Sequence, residues 1–362
     1  MSEAKGTFKN YLPILKWRQG EYQALLRLNK EVKKNLYPLF VIPPVEFDFE
    51  EQKPKKSAEQ HVEKLADRYI KKWGKALSLI DIDSSLHLDN VSDGRTIPEY
   101  IFDELELIGG SFSPVLQLDY DVSYVNAVKK SWLSCQKGMC IRVSLDQLAD
   151  ASSSTQISNF HSFIGCPEDK TDLVIDFKKG ASYEPYENVV ELLSMLLGTV
   201  CNVNQYRSIY IVGTSLALDE VKKPGAKQQR HDWLFYKSLH STAKSDFPNI
   251  GFGDYTIETP EFSSLDMRLM KPAAKIVYSS KNNWIIFKGT SFRDNPAQMK
   301  DLCDALIKSG YYYDPAFSNG DKKIHDCSLG ICGTGNMSTW KEAAISHHLT
   351  LAVHQNASLY VP

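Results

Sequence analysis

The sequence predicts an α/β protein: a (β/α)8 TIM-barrel-like fold over about residues 11–256, with a C-terminal hairpin and helices appended to it. Three observations predict this. Between Tyr11 and Thr256 eight short apolar runs alternate with helical patterns, as a parallel barrel requires, because each parallel crossover needs a helix to cover the sheet. Polar residues recur at the C-terminal ends of these runs with matched parity. Beyond residue 256 the alternation gives way to a hairpin signal and polar loops.

The first unit, Tyr11 to Leu28, contains a short apolar run with Pro13, Ile14, Leu15 and Trp17, a polar tip, and a helix from Glu21 with Tyr22, Leu25, Leu26 and Leu28 at helical spacing. The second strand is Leu36–Pro44; a charged loop, 49–56, leads to a helix predicted over 57–73. The third strand is Ala76–Asp83, followed by a helix over 97–107 and a Gly-Gly stop. The fourth is Ser113–Asp119 with a helix over 122–135, and the fifth is Met139–Ser144 with a weaker helix over 152–164. The sixth is Asp172–Lys178 with a helix over 186–200 whose leucines share a face. The seventh is Arg207–Gly213, then a basic loop with Lys222, Lys223 and Lys227 and a helix over 231–243. The eighth is Asn249–Thr256.

In the tail, Ala274–Tyr278 and Trp284–Lys288 flank Lys281-Asn282-Asn283, a hairpin turn with residues that tolerate positive φ. A helix over 296–307 follows, with proline early in its first turn. Residues 313–337 read as loop, and a final helix starts near Trp340 with Thr339 and Glu342 as a capping box. The predicted division is an extended or disordered 1–10, the barrel at 11–256 and a C-terminal extension at 257–362. A hairpin leaving the eighth strand starts at the face where barrel sites are built, so residues 275–293 are a candidate lid carrying Lys288 and Arg293.

A formal net charge of −2 gives no bulk reason to bind nucleic acid or an anionic membrane, so such binding would need a local patch. Seven cysteines, scattered and odd in number, favour reduced thiols and a cytoplasmic protein. No apolar run is long enough to span a bilayer, and no membrane partner is expected.

Alternation of side chains along a strand tests whether the polar tips converge. Asp81 and Asp83 share a face with Leu79, Gln117 and Asp119 with Val115, Asp176 and Lys178 with Val174; Arg142 and Ser144 share one face, as do Lys16 and Arg18. Charge at a barrel mouth is costly unless paired, metal-bound or functional. A ring of salt bridges capping the barrel is one reading. The other is a polar site in which Asp81, Asp83, Asp119 and Asp176, with Glu46 and Asp254, supply the hard oxygens that Mg2+ or Mn2+ takes, while Lys16, Arg18, Arg142 and Lys178 hold phosphate. By this count acids outnumber bases six to four, and Arg293 from the lid and Ser215 after the seventh strand add donors to the ligand. Asp81, Asp119 and Asp176 are the expected catalytic acids and Asp81, Asp83 and Asp119 the expected metal ligands of a phosphoesterase-like hydrolase acting on a phosphate-bearing small molecule or nucleotide.

Other chemistries find less support. Lys178 as a Schiff-base lysine lacks any sign of desolvation, and the seventh strand ends in Gly213, Thr214 and Ser215 without a glycosidase carboxylate. His325, Cys327, Cys332, His347 and His348 do not have zinc spacing, and His347 and His348 point about 100° apart on a helix. Gly333–Asn336 before the last helix reads better as a loop than as an anion cradle.

The opening YLPILKWRQGEYQAL, the PLFVIPP that follows, and FSNGDKKI, GTGNMSTW and SHHL in the tail together resemble the Beta protein family. The resemblance spans nearly the whole chain and implies a phage-encoded protein or a bacterial homologue tied to phage conflict and anti-phage defence. It brings no established activity and no catalytic residues to transfer. Motifs at both ends place the tail back over the first strands, where Lys16, Arg18 and Glu21 would meet Arg293, Asp321 or His347. The alternative to a phosphoesterase is a non-enzymatic interaction or sensor protein that binds a phage or host protein through an exposed apolar or basic patch away from the mouth, for which Lys222, Lys223, Lys227 and Arg230 after the seventh strand are the candidates.

Overall fold

Parallel pairing runs unbroken around eight strands. β1 (Tyr11–Lys16), β2 (Leu39–Ile42), β3 (Ser78–Ile82), β4 (Phe112–Gln117), β5 (Met139–Ser144), β6 (Thr171–Lys179), β7 (Ser208–Thr214) and β9 (Ile250–Asp254) pair in that order, and β9 closes on β1 from Tyr11↔Phe252 to Pro13↔Asp254. The computed structural model describes residues 9–179, 183–262 and 270–360. The barrel expected from the apolar runs is therefore present. Its interior is filled by the inward parity set: Leu12 and Ile14, Leu39, Leu79, Val115, Cys140, Val174, Tyr210 and Val212.

Helices cover the outside: α1 (Gln19–Arg27), α2 (Leu65–Lys72), α3 (Ile97–Leu107), α4 (Val122–Cys135), α5 (Ser153–Ile164), α6 (Tyr186–Gly198) and α7 (His231–Ala243). The helix expected over 57–73 is two pieces, Ala58–Val62 and α2, because Lys64 leaves helical geometry at φ −106°, ψ 14°. Thr96 and Glu99 form a capping box at α3, and Pro98 sits in its first turn, so this helix begins where its sequence says.

The tail departs further from expectation. The basic loop after β7 contains β8 (Gly225–Gln229), which pairs with β11 (Asn283–Ser291), and β11 pairs with β10 (Ala273–Ser279) in an antiparallel sheet ordered β8–β11–β10. One face of this sheet, with Val277, Trp284 and Ile286, joins the main core. The other, with Ala274, Ile276, Tyr278 and Ile285, packs on α8 (Gln298–Lys308) and α9 (Asn319–Ser328). The hairpin proposed as a lid is thus a fully packed element, since Trp284 and Ile286 bury on one side and Ile285 on the other.

Helix α9 lies inside the stretch expected to be loop. Only Ile324 and Cys327 give it an apolar signal, and its start is set by Ser318, whose hydroxyl accepts from the Asp321 amide. The last helix, α10 (Met337–Tyr360), is capped by Asn336 and Thr339 reciprocally, while Glu342 instead pairs with Arg27 at 2.7 Å. Among the described residues no helix is long and apolar enough to cross a membrane.

Candidate functional site

At the C-terminal end of the barrel, inward parity delivers Asp81, Gln117, Arg142 and Asp176 to one point. Arg142 Nη1 lies 2.9 Å from Asp81 Oδ2, and its Nη2 and Nε lie 2.6 and 3.0 Å from Asp176 Oδ2. Tyr255 and Tyr120 complete the layer, Tyr255 donating to Asp176 at 2.6 Å and Tyr120 to Asp81 at 2.5 Å, with Gln117 Nε2 3.0 Å from Asp81 Oδ2. The second oxygen of Asp176 accepts from the Lys178 amide at 2.8 Å. Burial pushes the Asp81 carboxyl up against the pull of Arg142. Each acid is thus fully coordinated by protein donors, and the network is a polar plug. A comparable plug closes the other end, where Arg207 and Tyr37 bind Asp172.

The remaining sequence candidates do not join this layer. Alternation predicts facing only while the backbone stays extended, and beyond the strand ends it does not. Asp83 turns to cap a short helix at Ser84–Leu86, Asp119 is exposed in the turn after β4, and Lys178 sits exposed at φ 54° in a bulge of β6. Asp81, Asp83 and Asp119 therefore do not gather as metal ligands, and among the described residues no group of three or more His, Cys, Asp or Glu is placed to hold a metal ion. Glu46 lies on a loop with Lys55, Arg293 is exposed beyond β11, and Ser215 donates to the buried Asp232. Ser144 caps the short helix that follows β5. Arg230 is fully buried beside Trp284 rather than on a basic patch.

Asp254 has the opposite parity to Tyr255, so it faces outward to α10. It accepts from Tyr11 at 2.9 Å and meets His348 Nε2 at 2.7 Å, while the adjacent His347 meets Asp321 at 2.9 Å and the Ser279 carbonyl at 2.7 Å. The two histidines diverge as helical geometry demands, one to the barrel and one to the tail, and both are packing residues of the seam. Interaction with His348 and Arg230 holds the Asp254 carboxyl below its usual range despite burial, and burial lowers His348.

A second charged cluster lies at the mouth beside β1, and only part of it is legible in the sequence. Lys16, inward at the tip of β1 and 5% exposed, donates to the Glu261 carbonyl and stands 4.6 Å from the Phe262 ring, with Arg18 5.1 Å from the same ring. Glu21, in the first turn of α1 and 1% exposed, meets Lys341 of α10 at 3.2 Å; Lys341 also meets Glu258 at 2.9 Å. Gly20 makes room for this, since a Cβ there would stand 3.1 Å from the Lys341 stem. Lys275 and Lys288 are direct cross-strand partners on β10 and β11, and Glu258, Lys288 and Lys341 all act electrostatically on Lys275. The tail thus folds over the first strands, but Glu21 meets Lys341 rather than Arg293, Asp321 or His347.

The electrostatics of this cluster follow from burial. Desolvation raises Glu21 to about 8, against the pull of Lys341, while the two glutamates hold Lys341 above its ordinary value. Burial lowers Lys16 and Lys275. Four lysines face two glutamates, which reverses the acid excess expected at the mouth. Lys341 and Glu258 carry no signal of their own in the sequence, whereas the cross-strand lysine pair follows from the hairpin register.

Similarity to solved structures is weak. The chain is 9% identical to an alanine racemase of Clostridium difficile 630 in complex with cycloserine, over 75% of this chain and 58% of that one, with a TM-score of 0.34. It is 8% identical to a thermostable mutant of the xylanase Xyn10A from Cellvibrio japonicus, over 69% of this chain and 86% of that one, with a TM-score of 0.30. At these scores neither likeness bears on activity. No curated protein matches the chain. The family model described as Beta protein matches residues 11–354, and with nearly its whole length so matched the chain belongs to the Beta protein family.

Proposed function

We propose that the C-terminal mouth binds a phosphate-bearing ligand through Lys16, Lys275, Lys288 and Lys341, with Arg18 at the rim. The observation that carries this reading is the lysine excess, and within it the Lys275–Lys288 pair. Like charges directly opposite on neighbouring strands are destabilising, so a fold that keeps the pair near Lys341, which in turn lies near Lys16, is set up for an anion. Lysine ammonium groups suit phosphate as point charges. The reading is of binding, because the mouth carboxylates Asp81 and Asp176 are occupied by Arg142.

Calorimetry with inorganic pyrophosphate and with a nucleoside monophosphate tests it. Wild type is expected to bind at least one of the two, and Lys16→Ala and Lys275→Ala each to weaken binding about tenfold, the equivalent of about 1.4 kcal/mol. Absence of binding by wild type, or unchanged affinity in both variants, removes the reading. Family membership supports a setting in phage–host conflict; plaque counts on hosts expressing wild type or Lys16→Ala would differ if the mouth serves that role.

A further inference from the structure

Glu21 is the odd member of the mouth cluster. Neither of its carboxylate oxygens has a well-formed hydrogen bond, although both are buried. The groups acting on it are Lys341 of α10, Glu258 of the segment after β9 and Lys16 of β1. Lys341 is shared, 3.2 Å from Glu21 and 2.9 Å from Glu258, so Glu21 holds the longer contact. A buried carboxylate with one divided counterion keeps its charge only while that counterion stays.

We infer that Glu21 is a proton-linked gate on the mouth: an oxyanion that draws Lys341 and Lys16 to itself takes the counterion from Glu21, and Glu21 remains buried by accepting one proton from solvent. This rests on the oxyanion reading of the lysine cluster and adds its regulation. At alkaline pH the balance is one anion and one proton bound together; in weakly acidic solution the proton is already on Glu21 and the anion binds alone, with no bond made or broken in the ligand in either case. In weakly acidic solution Glu21 is already neutral and Lys341 has Glu258 alone as its carboxylate partner; at alkaline pH the ionised Glu21 also competes with the anion for it. The raised Glu21 value, about 8, sets where the change falls.

The test uses sulfate, whose charge is constant across the range, titrated into the full chain at pH 6.5 and pH 9. With one proton required, apparent affinity should fall about tenfold at pH 9 in wild type. Glu21→Gln, neutral at both values, should bind as wild type does at pH 6.5 and lose much less at pH 9. An equal fall in both proteins would assign the loss to the lysines and overturn the inference. Equal wild-type affinity at the two values would overturn it and leave anion binding standing. Failure of both sulfate and pyrophosphate to bind at pH 6.5 would remove the anion reading and the gate with it. Should Glu21→Gln not fold, Glu258→Gln returns Lys341 wholly to Glu21 and must move the affinity change to lower pH; an unmoved change overturns the inference.

Discussion

A guanidinium 2.9 Å from one buried carboxylate and 2.6 Å from another cannot be deleted without leaving two charges stranded in the barrel. Arg142→Met is expected to cost about 3–5 kcal/mol in denaturant unfolding, and adding Asp81→Asn and Asp176→Asn should recover part of it, since the penalty is the unpaired charge. A loss below about 1 kcal/mol would mean that solvent reaches the plug. Glu21 acts in the opposite sense. Its folded value lies above the unfolded one, so the stability linked to its proton is complete below about 4.5 and is lost as pH rises through about 8. Glu21→Gln should therefore be more stable than wild type at pH 9, by on the order of 1–3 kcal/mol, and should show a flatter melting profile between pH 5 and pH 9. Strand parity in the sequence located Asp81, Gln117, Arg142, Asp176 and Lys16 correctly. The alternation fails at Asp83, Asp119 and Lys178, where a cap, a turn and a left-handed residue end it, and Asp254, counted among the mouth acids, faces outward beside the inward Tyr255.

At the scale of elements, α10 decides how the two ends of the chain meet. It is buried along most of its length from Ala343 to Val353, and consecutive histidines lead to a carboxylate on the barrel and a carboxylate on α9. His348 is lowered by burial, so its contribution is intact above about 6.5, the ordinary histidine value, and is lost as pH falls. The Asp254 partner, held low, adds its own loss under more acidic conditions. His348→Gln should therefore reduce the loss of melting temperature between pH 7 and pH 5; the same slope in the variant would show that other groups govern it. The contact between α9 and α10 has a sharper requirement, for at Gly320 a Cβ would lie 2.0 Å from the Ala343 carbonyl oxygen. Gly320→Ala must push the helices apart and is expected to destabilise by about 2–4 kcal/mol, within the range of overpacked sites. Helix α9 was invisible in sequence because its apolar face is two residues wide, and a polar helix held by a neighbour reads as loop.

For the molecule as a whole, the eight parallel strands were legible because each is a fully buried apolar run, the least ambiguous pattern a barrel has. The separation of a barrel at 11–256 from an appended tail is where the structure adds most. β8, from the loop between the seventh and eighth barrel strands, pairs with β11 of the tail, and Ala344, Ile345, Leu349, Ala352 and Val353 of α10 belong to the barrel's own core. Antiparallel pairing between residues about sixty apart and an all-round buried helix leave no local mark in sequence. Cutting the chain after Thr256 would expose the outer faces of β1, β9 and α1 and remove both the histidine opposite Asp254 and the lysine beside Glu21. With Ile257, Val277 and Ile286, eight aliphatic or alanine side chains and Trp284 would leave the core together, at about 1.5–3 kcal/mol for each large one, against a total stability of about 5–15 kcal/mol. The truncated chain is therefore expected to keep far-ultraviolet helix signal but lose near-ultraviolet aromatic signal and bind a hydrophobic dye, as a state without fixed packing does. A cooperative unfolding transition with native near-ultraviolet signal would show instead that residues 11–256 fold alone and that the tail is an accessory.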